Sequence, residues 1–377
     1  EELHKKRIML LKKFAVKNYK NFKEEFTLDL GDVRDYKFNK ASIKNNVVKT
    51  GIIYGKNSMG KTNFGYAMFD IVYHLTDKMR LPEVAQFYTN ADSDKQEAEF
   101  VYTFIEAEQE IVYTYTKATA YDLVEEALYI DGKMLFSYNF NTKNGDLTQL
   151  KEIPELQELN WSFKDKGMSF IRFIVNNSSI ANDHPIMKLY RFVNKMLWFK
   201  GIDGINNFIG YRATSENIFD YVLRNDLLED LNKFLLNNGV AESLVCQTTP
   251  DNRKLVYFKH KMLLPYDLAS SGTKVLVLFY YWYKQIATAS FVFTDEFDAF
   301  YHFELAEKIL RLAMQQDVQM LLTSHNTNLL SNKVMRPDCY FILTKNRITS
   351  FVNATKRELR EGHNLEKLFI SGEFDEQ

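Results

Sequence analysis

Cysteine is scarce: the 377 residues hold two, Cys246 and Cys339, far apart and without a CxxC spacing. That argues against a disulfide framework or a cysteine zinc site and fits a reducing cytosol. A dominant charge is missing too, since 48 Lys and Arg face 49 Asp and Glu for a net charge of -1. Bulk charge therefore does not mark a protein that coats nucleic acid, while a local basic groove stays open. No apolar run approaches the length of a membrane span, and the longest, Val275 to Tyr283, runs into Lys284 and Gln285. The opening EELHKKRIMLL has a basic start without a long apolar region or a small-residue cleavage site, so it does not read as a signal peptide. Position 1 is not Met; the natural start is expected at Met9 or upstream of the first residue. A sustained heptad, an internal repeat, an HNH sequence and a spare acidic cluster are all lacking, which excludes a long coiled-coil arm and gives no sign of nuclease chemistry. The expectation is a cytoplasmic chain with no membrane segment.

What is present is apolar and aromatic: 46% hydrophobic residues, with 30 Phe and 22 Tyr. The aromatics are scattered and read as core and interface filling. Such a chain can bury a sizeable core as one large α/β domain with an insertion, or as two modest domains. Lys13 to Leu30 alternates like a β-hairpin, and Val47 to Tyr54 is a strand running into a glycine loop. Asn63 to Leu75 reads as a helix with Phe64, Met68, Ile71 and Val72 on its apolar face. Strand patterns recur from Glu99 to Tyr138, with Asp131-Gly132 as a hairpin turn. Ile153 to Asn237 is mainly helical in pattern, including HPIMKLYRFVNKMLWF, with Asn-rich breaks. Strands return from Ser243 to Leu264. After them come a helix from Thr273, a buried strand Ser290 to Thr294, a helix His302 to Gln316 and a strand Val318 to Thr323. That last alternation implies parallel βαβ units. The expected organisation is an N-terminal lobe over 9–152, a helical insertion over 153–240 and a C-terminal lobe over 241–377.

Gly55-Lys-Asn-Ser-Met-Gly60-Lys61-Thr62 matches GxxxxGK[ST] between an apolar strand and a helix. Its glycines let successive N–H groups face phosphates, and the helix N-terminus adds the positive end of its dipole. Lys61 supplies a point charge and Thr62 a hydroxyl for Mg²⁺; Asn57, Ser58 and Asn63 complete the candidate phosphate-binding set. FVFTDE, Phe291 to Glu296, is an apolar strand ending in two carboxylates, the form in which Asp295 holds Mg²⁺ and Glu296 polarises water. Alone it is also an ordinary charged loop after a strand. The turn Leu268-Ala-Ser270-Ser271-Gly272-Thr-Lys274 opens an apolar helix, either as a simple capped start or as a second phosphate contact. MLLTS ends in His325, on the strand that follows the acidic one in sequence, and so at the same edge of a parallel sheet.

Phosphate loop, long insertion, serine turn, acidic strand and histidine, in this order, resemble the ABC ATPases of the SMC/RecF/OLD group. FAVKNYKNF is similar to the opening strand of that group. SSGT, VFTDEFDAFYH, LLTSHNTNLL, RPDCYFILTK and REGHNLEKLFISGEF resemble one subfamily in it, the anti-phage defence ATPases that include AbiLi, RloA and AriA of the PARIS system. The likeness is most specific in the final third and weakest from Glu152 to Asn237. It implies an ABC-type P-loop domain, a mixed sheet with an antiparallel β subdomain, carrying an inserted helical subdomain. It implies ATP and Mg²⁺ as cofactors, Glu296 as catalytic base, and His325 and Lys61 as stabilisers of charge. Ser270, Ser271 and Gly272 would contact the ATP of another copy, and Asp298 would fall in the loop linking two sites. Homodimers or higher homo-oligomers would form head to tail, and a separate effector, a nuclease or toxin, would be the partner. Tyr301-His302-Phe303 departs from the Leu-His-Pro usual there, the glutamine of the Q-loop is not placed, and Lys20 and Asn21 match positions near the nucleotide in relatives, although lysines and asparagines on hairpins are more often simply solvated.

Three functions fit these features: a defence ATPase that restrains or releases an effector, a RecF-like DNA-repair ATPase, and a nucleotide-dependent scaffold with little turnover. The insertion either meets partners or merely covers the sheet. Within it Lys188 to Lys195 reads as a solvated helix face, with nucleic acid as the alternative.

Overall fold

Period-two alternation builds the first layer. Strands Ala98–Glu106 and Gln109–Lys117 bury every second residue, the pattern of a sheet with one face on a core. In the computed structural model, which describes residues 8–161, 165–200, 208–211, 217–259, 262–299 and 303–375, these strands belong to a seven-stranded sheet that also holds the opening hairpin. There Leu10–Lys17 pairs antiparallel with both Phe26–Asp29 and Ala98–Glu106. Asp131 and Gly132 turn the hairpin with φ of 50° and 75°, the left-handed pair such a turn requires.

The second sheet also has seven strands, in the order Phe208–Gly210, Met196–Lys200, Phe291–Asp295, Gln319–Thr323, Thr50–Tyr54, Tyr340–Leu343, Ile348–Ser350. All neighbours in it run parallel except the two outermost pairs. The strands Thr50–Tyr54, Phe291–Asp295 and Gln319–Thr323 are buried along their whole length, as expected of a parallel sheet covered on both faces. Helix Phe303–Met314 joins the last two of these, giving the expected βαβ unit. The departure Tyr301-His302 lies outside the described residues.

Helix Lys61–Leu75 is wedged between the sheets. The expected apolar face is buried, and so are Tyr66, Phe69, Asp70, Tyr73 and His74 on its other sides. Tyr102 of the first sheet donates to the carbonyls of Ala67 and Met68 at 3.0 and 3.2 Å. Gly65 faces the second sheet so closely that a Cβ would stand 2.7 Å from the Phe293 ring and 2.8 Å from Trp198 Nε1. An amphipathic reading assumes one buried face; two sheets give this helix two. The sheets are also stitched directly: Gln319 accepts from Leu11 N–H at 2.8 Å and donates to the carbonyls of Leu11 and Val48 at 2.8 and 3.0 Å.

The region read as mainly helical departs from that reading at one place that matters. Helices Phe170–Asn177, Pro185–Asn194, Ile218–Arg224 and Leu228–Asn237 form, but Met196–Lys200 is a strand of the central sheet, parallel to Phe291–Asp295. Only Lys195, with φ -108° and ψ 7°, separates it from the preceding helix. The sequence shows neither Gly nor Pro at that junction, so the apolar run looked like continued helix. Among the described residues no helix is long and apolar enough to cross a membrane.

Candidate functional site

Parallel strands end at one edge, and four of these ends bring polar groups together. Beyond Tyr54 the chain turns through Gly55 to Gly60 into the wedged helix. Gly55 passes close to Leu343, where a Cβ would stand 2.6 Å from the carbonyl oxygen. Ser58 and Gly60 take φ of 66° and 94°, so the loop curls back on itself with Lys56, Asn57 and Ser58 exposed at its tip. Lys61, the first helical residue, is buried, and its ammonium donates to the Gly55 carbonyl at 2.7 Å. Burial pulls its pKa down, against the opposing pull of Asp295 and Glu296.

Thr62 donates its hydroxyl to Asp295 Oδ2 at 2.6 Å, and Thr323 donates to Oδ1 of the same carboxylate at 2.6 Å. Asp295 is fully buried. Burial, the largest influence, raises its pKa, and the two hydroxyls and Lys200 lower it. Thr323 Oγ1 in turn accepts from Glu296 N–H at 2.8 Å. Glu296 itself takes φ of 49°, a left-handed conformation costing a non-glycine residue about 1 kcal/mol. It turns the chain at the strand end and sets its carboxylate 3.5 Å from the Lys200 ammonium. One residue past Thr323, Ser324 donates to Asp298 Oδ2 at 2.5 Å, and burial pushes the Asp298 carboxyl up to about 6. His325 is exposed. Partial desolvation and then the nearby Lys61 charge lower its pKa, leaving a neutral imidazole at pH 7.

Thr62 and Asp295 converge as two hard oxygen donors, a set that fits Mg²⁺ shared with phosphate oxygens. Beside them a cleft of about 660 Å³ is lined by Gly55, Lys56, Ser324, His325, Thr344 and Phe369, among others.

The serine turn lies elsewhere on the chain's surface. Ser270 caps helix Ser271–Ile286 by accepting from Thr273 N–H at 3.1 Å, while Ser271 is exposed beside Gly272. Ser270 and Gly272 line a separate cavity of about 440 Å³ with Val240, Phe258, Leu264 and Leu268, and none of its lining residues belongs to the phosphate-loop cleft. A single copy therefore gathers Gly55, Lys61, Thr62, Asp295, Glu296, Asp298 and His325 but not Ser270, Ser271 and Gly272.

Two contributors, Thr323 and Lys200, escaped the sequence reading, and a third, Asn21, was matched to relatives without being assigned a role. Thr323, which holds both Asp295 and Glu296, precedes Ser-His without any motif of its own. Lys200 ends a strand mistaken for helix. Asn21 donates to the Met59 carbonyl at 3.2 Å and accepts from Asn63 Nδ2 at 2.7 Å, clamping the phosphate loop from the hairpin. Lys20 is tied instead to the carbonyls of Glu83 and Gln86 at 3.0 and 2.6 Å.

Among solved structures, the chain is similar to the SMC head domain from Thermotoga maritima, at 16% identity over 90% of this chain and 98% of that one, with a TM-score of 0.44. An SmcHead bound to the C-winged helix domain of ScpA matches at 14% identity over 90% and 97%, TM-score 0.45. The recombination mediator RecF-ATPrS matches at 13% identity over 92% and 100%, TM-score 0.40. No curated protein matches the chain. A family model does: it spans residues 52–331, from the phosphate-loop strand to beyond His325, and the chain belongs to that family, described as "AAA domain, putative AbiEii toxin, Type IV TA system".

Proposed function

We propose that the chain binds Mg²⁺·ATP at Gly55–Thr62 and hydrolyses it in a site completed by Ser271 and Gly272 of a second copy, acting as the regulatory ATPase of a defence system with a separate effector. One observation carries the site: Lys61, Thr62, Asp295, Glu296 and His325 meet at one sheet edge, while Ser270 and Gly272 open into a different cavity of the same chain. A turn that caps a 16-residue helix presents N–H groups and a dipole suited to a phosphate, and within one copy it does not line the phosphate-loop cleft. The γ-phosphate would be the group touching both copies, so ATP favours the closed pair and ADP does not.

In the chemistry, Thr62 and Asp295 would hold Mg²⁺, which when bound would neutralise phosphate charge. Lys61 gives up its bond to Gly55 for the phosphate oxygens. Glu296 accepts a hydrogen bond from the attacking water, and the neutral His325 donates to charge developing on the transferring group. Asp298, held by Ser324 beside His325, would relay the state of one site to its twin. The regulatory role rests on the family's link to toxin systems and on the motif likeness to anti-phage ATPases.

The test is direct. Lys61→Ala should abolish ATP binding by calorimetry. Glu296→Gln should bind ATP, lose turnover by at least about a hundredfold, and run as a dimer with ATP but not ADP on a sizing column. Undiminished ATP affinity in Lys61→Ala, or a Glu296→Gln protein that stays monomeric with ATP, overturns the composite site. Purification of the native complex with Glu296→Gln should yield an effector protein; recovery of only chromosomal DNA and repair factors overturns the defence role.

A further inference from the structure

Glu296 has its main chain fixed and its side chain almost free. Its N–H is held by Thr323, which is held by Asp295, and its φ of 49° sets the direction of the side chain. The carboxylate has one ion-pair partner among the described residues, Lys200, whose ammonium stands 3.5 Å from Oε2. Lys200 arrives there by register: it ends the strand parallel to the acidic one and lies directly opposite Asp295. The strand supplying it has Met196, Leu197, Trp198 and Phe199 all buried, so the base of the lysine is rigid while its tip reaches the carboxylates.

We infer that Lys200 is the positioning residue for the Glu296 carboxylate, holding Oε2 so that Oε1 faces the water that attacks ATP. The inference rests on the hydrolytic reading above and deepens it. A loose pair, with side chains 23% and 32% exposed, contributes little to folding. What it supplies is orientation: two adjoining carboxylates repel each other, and one ammonium at the strand end gives Glu296 a single preferred direction. Sub-ångström placement of this kind is where hydrolytic rate is won or lost.

The test compares single-turnover hydrolysis and equilibrium ATP binding in the full chain with Lys200→Met, which keeps the apolar stem, Lys200→Arg, Glu296→Gln and the Lys200→Met/Glu296→Gln double variant. Lys200→Met should melt and bind ATP like wild type yet hydrolyse it about tenfold to a hundredfold more slowly. Lys200→Arg should recover most of the rate, and Lys200→Met should add nothing in the Glu296→Gln background. A full-rate Lys200→Met, a Lys200→Arg as slow as Lys200→Met, a rate loss matched by lost ATP affinity, or an effect that persists without Glu296 each overturns the inference. If Glu296→Gln itself turns over at the wild-type rate, the hydrolytic reading falls and takes this one with it. A slow Glu296→Gln beside a fast Lys200→Met removes the positioning role alone.

Discussion

The smallest side chain in the site is under the tightest constraint. Gly60 combines a φ of 94° with a Cβ direction that ends 2.3 Å from Asn21 Nδ2, so Gly60→Ala must both strain the backbone and displace the clamp. ATP affinity should fall at least about tenfold, a loss of some 1.4 kcal/mol, measurable by calorimetric titration. Asn21→Ala removes two exposed hydrogen bonds that hold the phosphate loop and should weaken ATP binding about fivefold. Because the clash disappears with the clamp, Asn21→Ala/Gly60→Ala should bind ATP better than the sum of the two losses allows. The phosphate loop was legible in the sequence because its chemistry is contiguous, Gly55 through Thr62. The acidic pair was legible because it accompanies the phosphate loop; alone, a buried strand ending in two carboxylates reads equally as a charged loop. Thr323 and Lys200 were not legible, since their partners are distant in sequence and only sheet register brings them into reach; Asn21 was matched to relatives, but its hold on Met59 and Asn63 shows only in the fold.

Among the elements, the C-terminal segment does more than its length suggests. Helix Leu365–Ile370 and the turn after it help line the cleft beside the phosphate loop, through Phe369, Ile370 and Asp375. Phe351 stacks on Phe374 at 4.1 Å and on Phe369 at 5.9 Å, and Phe369 meets Tyr54, the last residue before the loop, at 5.7 Å. Glu366 accepts from Thr327 at 2.8 Å, just beyond His325. One short helix thus braces the loops that follow two neighbouring strands. Phe374→Ala should cost about 3 kcal/mol in urea unfolding, because it empties a buried aromatic site. Asp375→Ala breaks only the exposed pair with Lys56 at 3.3 Å and should cost under about 0.5 kcal/mol. Strand and helix types were mostly readable from periodicity, from the opening hairpin to the βαβ unit after Ser290. Met196–Lys200 was not, because five consecutive apolar or amphipathic residues directly after a helix carry no period that separates the two states.

Across the whole molecule, the layer between the sheets holds charge as well as apolar bulk. Asp70 pairs with Lys117 at 2.7 Å with both side chains fully buried, and Tyr88 and Tyr115 donate to the same carboxylate. Nearby, Glu126 accepts from Tyr113 and from Phe170 N–H. Burial lifts its pKa from 4.5 to about 7. A carboxyl raised on folding favours the folded state fully below pH 4.5 and loses that contribution as pH climbs through 7, a swing of about 3 kcal/mol. Glu126→Gln should therefore flatten the decline in unfolding free energy between pH 4.5 and 8; an unchanged slope would assign the decline to other groups. The stitching of Leu11 to Gln319, 308 positions apart, has a consequence for how the protein is made. Thr50–Tyr54 lies between Gln319–Thr323 and Tyr340–Leu343, so a nascent chain halted before those segments emerge from the ribosome leaves the loop strand with both edges bare. A phosphate loop seated between both partner strands would then exist only in polypeptides extended beyond Leu343, and shorter fragments would be silent.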